Sequence, residues 1–220
     1  YNIVDRIYIG HIPENGALAL TGVGVCMPLI MIVSAFAALV GNGGAPRASI
    51  FMGKGDKESA ERTLGNCFTT QIIVSLLLTI ILFTGNRSFL MAFGASENTI
   101  PYAVAYMNIY SLGTIFVQLT LGMNAFITAQ GFARTGMLSV LEGAASNIIL
   151  DPVFIFVFHM GVRGAALATI ISQALSCAWV LNFLTGKKSY LKIRRCNMKL
   201  QKNIILPSLA LGLSTFIMQA

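Results

Sequence analysis

The chain has 220 residues, 55% of them hydrophobic and 10% charged, with a mean hydropathy of +0.75. An ordinary soluble domain carries about 25% charged residues, so this composition excludes one and predicts an all-α polytopic membrane protein. The net charge of +7 does not mark a nucleic-acid partner, because the Lys and Arg residues fall in loops between apolar spans rather than on one soluble face.

The chain opens on Tyr1 in mid-pattern and stops at Ala220 inside an apolar run, which reads as a fragment of a longer chain. Tyr1 to Ile9 reads as the tail of a helix, ended by Gly10 and Pro13, with Asp5 inside it. Asp5 either pairs with Arg6, or sits at the interface, or is a second functional acid. Ala17 to Val40 is a first complete span of about 24 residues, ~36 Å of helix, with a kink expected at Pro28. Gly41 to Gly65 reads as a polar, glycine-rich connector. Its GNGGAP and GKGD pieces lack the spacing of a phosphate loop.

Asn66 to Thr84 is the next span and Gly85 to Asn98 a loop. Thr99 to Ala129, about 31 apolar residues, is too long for an upright crossing. Gln130 to Gly136 reads as a tight turn, Met137 to Phe158 as the central span, His159 to Arg163 as a turn and Gly164 to Leu184 as the following span. Thr185 to Lys202 is strongly basic, and Asn203 begins a further span. Five complete crossings and two partial ones result, all helical because backbone groups in lipid must be satisfied within the segment. Cys26, Cys67 and Cys177 fall in apolar stretches and Cys196 in the basic loop. With no C-x-x-C pair, all four read as free thiols.

The connectors 41–65, 130–136 and 185–202 hold 12 of the 15 Lys and Arg residues, which places them in the cytoplasm. Depth then follows from the helical rise. Asp5, Asp151 and Thr169 each lie five to seven residues from the outer end of their helices, roughly 8–11 Å below the outer surface. Asn147 is one turn deeper than Asp151 and on the same face. Three helices thus offer oxygen ligands at one level, as a buried cation or proton site requires.

The central span carries Asp151-Pro152 within apolar sequence. In a soluble protein Asp-Pro reads as an N-cap and first helical residue. In lipid, ending the helix there strands backbone groups, so a helix kinked at Pro152 is expected, with the carbonyl of Ile148 left free. A carboxylate at this depth costs about 2.5–3.5 kcal/mol even on a lenient insertion scale, so it should face a cavity or a partner. Burial disfavours the charged form of a carboxyl and a second acid adds to this, so such a pair suits proton exchange or sodium binding through hard oxygen ligands. Glu142, about 140° round the helix from Asn147, reads as interfacial. Met27, Met31, Phe36, Met107, Phe116, Met123 and Phe126 are packing residues or the lining of an apolar chamber. His11 and His159 adjoin external turns, and Trp179 and Tyr190 read as interface anchors.

The segments VDRIYIG at 4–10, GNGGAPRASIFMGKGD at 41–56, QGFARTGM at 130–137, SNIILDPVFIF at 146–156 and MGVRGAALATIISQ at 160–173 resemble the multidrug and toxic compound extrusion (MATE) transporters. The resemblance spans nearly the whole chain. It implies a twelve-helix protein of two six-helix lobes related by a pseudo-twofold axis, in the plasma membrane, without a cofactor. Residues 1–202 would then be the N-terminal lobe with a truncated first helix, 185–202 the inter-lobe linker, and 203–220 the start of helix seven in the missing C-terminal lobe. It implies antiport of organic cations against protons or sodium, with membrane lipid as the other partner. The matching cation-site positions are Asp5, Asn147, Asp151 and Thr169, the set that the depth argument gathers.

Three rivals make different demands. A flippase for a lipid-linked sugar or another amphipathic anion calls for cationic side chains inside spans, and the five spans as drawn contain none. An intramembrane aspartyl protease needs two membrane carboxylates around one water, whereas Asp56 of GKGD sits between Lys54 and Lys57 in a connector. A half-transporter active only with a partner is the third.

Overall fold

The computed structural model describes residues 2–12 and 15–219. Pro13, expected at the end of the first helix, lies outside them. The helices are α1 (Asn2–Gly10), α2 (Gly16–Val25), α3 (Met27–Gly53), α4 (Lys57–Ala92), α5 (Ile100–Leu112), α6 (Thr114–Ala129), α7 (Ala133–Pro152), α8 (Val162–Thr185) and α9 (Lys202–Gln219). Among the described residues there is no strand. Four apolar runs are long enough to cross a bilayer, Gly16–Gly53, Lys57–Ala92, Ala133–Val157 and Val162–Thr185, and α5 with α6 makes a fifth that bends by 57°. The predicted number of complete crossings therefore holds, but several boundaries move.

The largest correction concerns the expected connector at 41–65. α3 runs on through it to Gly53, and only residues 54–56 separate it from α4. The glycines there serve close approach rather than a turn. A Cβ on Gly41 would stand 2.7 Å from the carbonyl oxygen of Gly122 in α6, and one on Gly44 would stand 2.8 Å from the ring of Phe126. α9 lies against the same stretch, with Gly212 on the backbone of Leu39. Arg47, assigned to the connector, is part of α3, and its Nη1 donates to the Ile204 carbonyl of α9 at 2.7 Å. α4 likewise begins earlier and ends later than expected. Its N-cap is Asp56, which accepts from the Ser59 N–H at 3.0 Å. Those Ser59 contacts hold the exposed Asp56 carboxyl below its ordinary range. Asp56 is thus a helix cap, not half of a membrane acid pair.

The break expected at Pro28 falls at Cys26, between α2 and α3, with Pro28 in the first turn of α3. A proline there has no N–H to give the preceding turn, so the interruption is local. The over-long run at 99–129 resolves into α5 and α6, which meet at Gly113. Two apolar clusters fill the bundle. One holds Ile9, Val23, Ile30, Tyr106, Ile155 and Val162, and the other Val40, Leu64, Met123, Phe126, Val180 and Leu191. Between them along α3, Gln118 donates to the Val33 carbonyl at 2.7 Å and Gln71 to the Ala37 carbonyl at 2.9 Å. Met107, Met123 and Phe126 are core residues, while Met31 is 56% exposed. Cys26, Cys67 and Cys177 are buried free thiols and Cys196 an exposed one.

The connectors predicted to share one side do so. Lys57 stacks its ammonium over the Tyr190 ring at 4.6 Å, and Arg194 pairs with Glu61 at 3.2 Å. The basic segment 187–201 is also clasped by its backbone. The Leu191 N–H donates to Oε1 of Gln130 at 2.8 Å, the Gln201 N–H to Oδ1 of Asn66 at 2.7 Å, and Thr69 donates to the Met198 carbonyl at 3.0 Å. Asn66 also donates to the Asn197 carbonyl. Asn66→Ala leaves these two backbone groups unpaired and should cost about 2 kcal/mol. The check is thermal unfolding together with limited trypsin digestion, which should cut the basic segment faster in the variant; an unchanged digestion rate would show that the clasp is not holding it.

Candidate cation-binding site

α7 presents a buried stripe of small and polar residues, Gly136, Ser139, Gly143, Asn147 and Asp151, at spacings of three and four. Ile148 and Ile149, beside it, are 44% and 66% exposed. The helix therefore turns its two site residues inward and its aliphatics outward. It continues through Pro152 into a π-helical turn at Val153–Val157, so Asp151 lies inside the helix and is not an N-cap. The backbone of that turn packs on α8, where a Cβ at Gly164 would stand 2.7 Å from the Phe154 carbonyl oxygen. α1 packs against both α7 and α8. Its outer part is held by an edge-on contact of Tyr8 with Phe156.

These three helices bring Asp5, Asn147, Asp151 and Thr169 together, each no more than 5% exposed. The Thr169 hydroxyl interacts with Oδ2 of Asp5 at 3.2 Å and with its own Ala165 carbonyl at 2.9 Å. Asn147 Nδ2 donates to Oδ1 of Asp151 at 3.2 Å. The Asp5 carboxyl in turn lies against Asp151 and Asn147. Three oxygens of the cluster, Asp5 Oδ1, Asn147 Oδ1 and Asp151 Oδ2, are buried with no hydrogen-bond donor. Arg6 borders a small cavity beside Asp5 yet forms no ion pair with it; the two ion pairs among the described residues, Arg62–Glu58 and Arg194–Glu61, are both on the connector side. Two carboxyl groups and a carboxamide oxygen thus converge without a cationic side chain bonded to them. Such a set calls for a proton or a small hard cation to balance it.

Two residues missed in the sequence border this cluster. Tyr106, fully buried in α5, lies against Thr169 and Asp5 and lines the small cavity with Val23, Met27 and Ile30. Gln173, one turn along α8 from Thr169, has a buried Oε1 without a donor. A polar group in mid-span was the available signal for both. Glu142 stands apart on another face of α7, partly exposed. No group of three or more His, Cys, Asp or Glu side chains that would hold a metal ion occurs among the described residues.

Residues 1–153 match the family model MatE. The multidrug export protein MepA of Staphylococcus haemolyticus (strain JCSC1435) is 26% identical over 99% of this chain, and that of Staphylococcus aureus (strain NCTC 8325 / PS 47) is 22% identical over the same share. The chain spans about half the length of these curated relatives, 48% in each case. Among solved structures, an inward-facing multidrug resistance MATE family transporter of the MOP superfamily superimposes with a TM-score of 0.93 at 26% identity, covering 100% of this chain and 49% of that one. An outward-facing MATE transporter gives 0.90 at 26% identity, covering 100% of this chain and 48% of that one.

Proposed function

From the premise that this chain belongs to the MatE family, we propose that the whole transporter is a secondary-active antiporter exporting organic cations in exchange for protons or sodium, and that Asp5, Asn147, Asp151 and Thr169 bind the coupling ion. The chain is a multi-pass plasma-membrane protein of a family whose activity is transport rather than catalysis. In this reading residues 1–202 form the N-terminal six-helix lobe with 185–202 as its linker, and 203–220 begin the second lobe. The observation that supports the coupling role is the trio of unpartnered buried oxygens around two acids with no basic partner bonded to them. Ion entry from outside neutralises the cluster and alters the packing of α1 on α7 and α8. That change lowers affinity for the exported cation, and the coupling is reciprocal by linkage. Rocking of the lobes then carries the ion inward.

The test is efflux of a fluorescent organic cation from vesicles holding the whole transporter, with a proton gradient and a sodium gradient imposed in separate runs. Efflux driven by one gradient identifies the coupling ion. Absence of efflux under both would refute antiport and leave flipping of an amphipathic lipid-linked substrate as the activity to assay.

A further inference from the structure

At the connector side, away from the acidic cluster, the start of α7, the end of α8 and the segment that follows border a cavity of about 470 Å3. Its walls are Thr135 in the first turn of α7, Trp179 and Asn182 on the last turns of α8, and Lys187 and Lys188 at the start of the basic segment. Phe183 lines it as well and meets Phe132 edge-on at 5.0 Å. Neither lysine takes part in the ion pairs among the described residues. Trp179 is 42% exposed and six residues from the end of α8, about 9 Å along the axis, which is headgroup depth.

We propose that this cavity binds the headgroup of an anionic phospholipid from the cytoplasmic leaflet. The phosphate sits between Lys187 and Lys188, and the hydroxyl of Thr135 and carboxamide of Asn182 are within the same walls to donate to it. The first turn of α7, the positive end of its helix dipole, adds a favourable field. The glycerol and upper acyl carbons lie along Trp179 and Phe183. A basic pocket between helices on this side of the membrane has the charge that phosphodiester headgroups complement. This assignment does not depend on the coupling role of Asp5 and Asp151.

Trp179 is the one tryptophan in these 220 residues and supplies the probe. The whole transporter, with any other tryptophan replaced by Phe, is reconstituted in vesicles containing dibrominated phosphatidylglycerol or dibrominated phosphatidylcholine at equal mole fraction. The anionic lipid should quench Trp179 with about tenfold preference, which K187Q/K188Q should abolish and K187R/K188R preserve. Equal quenching by the two lipids in the unmodified protein, or a preference that survives K187Q/K188Q, overturns the proposal. Millimolar inorganic phosphate added to the vesicles should leave the preference intact; if it removes it, the cavity takes a soluble phosphate and the lipid assignment fails. The comparison of the two lipids decides the point even if the glutamine variant is unstable.

Discussion

Asp151→Asn should reduce gradient-driven efflux by the whole transporter about 100-fold while leaving it folded. The substitution keeps the shape of the side chain and its place on the inward stripe of α7. It replaces an oxygen that has no donor, Oδ2, with an amide nitrogen, and it removes the second of two adjacent buried acids. The cluster then has one acid instead of two and no longer needs a counter-ion to the same degree. Coupling free energies between two ligand sites run to about 3 kcal/mol, or ~150-fold, and the variant forfeits that linkage. Relief of like-charge contact should leave the melting temperature unchanged or higher. Efflux and thermal unfolding are measured on one preparation. Wild-type efflux in the variant would remove Asp151 from the mechanism, whereas loss of both efflux and folding would say that the residue is structural.

Gly41→Leu should cost about 3 kcal/mol or more and lower the yield of monodisperse protein. The contact at risk is backbone against backbone: a Cβ on Gly41 meets the oxygen of Gly122 at 2.7 Å and its Cα at 2.8 Å. No side chain can rotate away there, so α3 and α6 must separate. Gln71 of α4 packs over the same crossing while donating to Ala37, and separation pulls that hydrogen bond apart too. Asn42→Leu, at the exposed neighbouring position, is the control and should shift stability by less than about 0.5 kcal/mol. Equal thermal stability of the Gly41 variant and the control would show that the helices do not cross this closely.

What the sequence reveals and what it hides separate along physical lines. The apolar runs, the grouping of the connectors at one end of the bundle and the common level of Asp5, Asp151 and Thr169 all depend on one-dimensional quantities: hydropathy, charge and rise per residue. They are legible for that reason. The stretch from Gly41 to Gly53 misleads because its glycines and Pro46 look like turn residues, when the property in use is the missing side chain that lets α6 and α9 approach. The bend at Gly113 is hidden because the apolar pattern passes through it unbroken. Tyr106 and Gln173 come near the site only through packing of α5 on α8 and of α8 on α1, which no spacing encodes. The backbone clasp on 187–201 is equally silent, since its partners Asn66, Thr69 and Gln130 are far off in the chain.

The elbow between α5 and α6 also constrains how the protein enters the bilayer during synthesis. At 13 and 16 residues, the two arms are about 20 and 24 Å long, and each alone falls short of a hydrocarbon core of about 30 Å. Neither can be released into lipid as a stable unit, so the pair must leave the insertion machinery as one bent segment. Just before the bend, the Ser111 carbonyl accepts from the Thr79 hydroxyl of α4 at 3.0 Å. Gln118 beyond the bend donates to α3. Both partners lie earlier in the chain. They are already in the membrane when the elbow emerges, so the order of translation delivers the groups that satisfy it before they are needed.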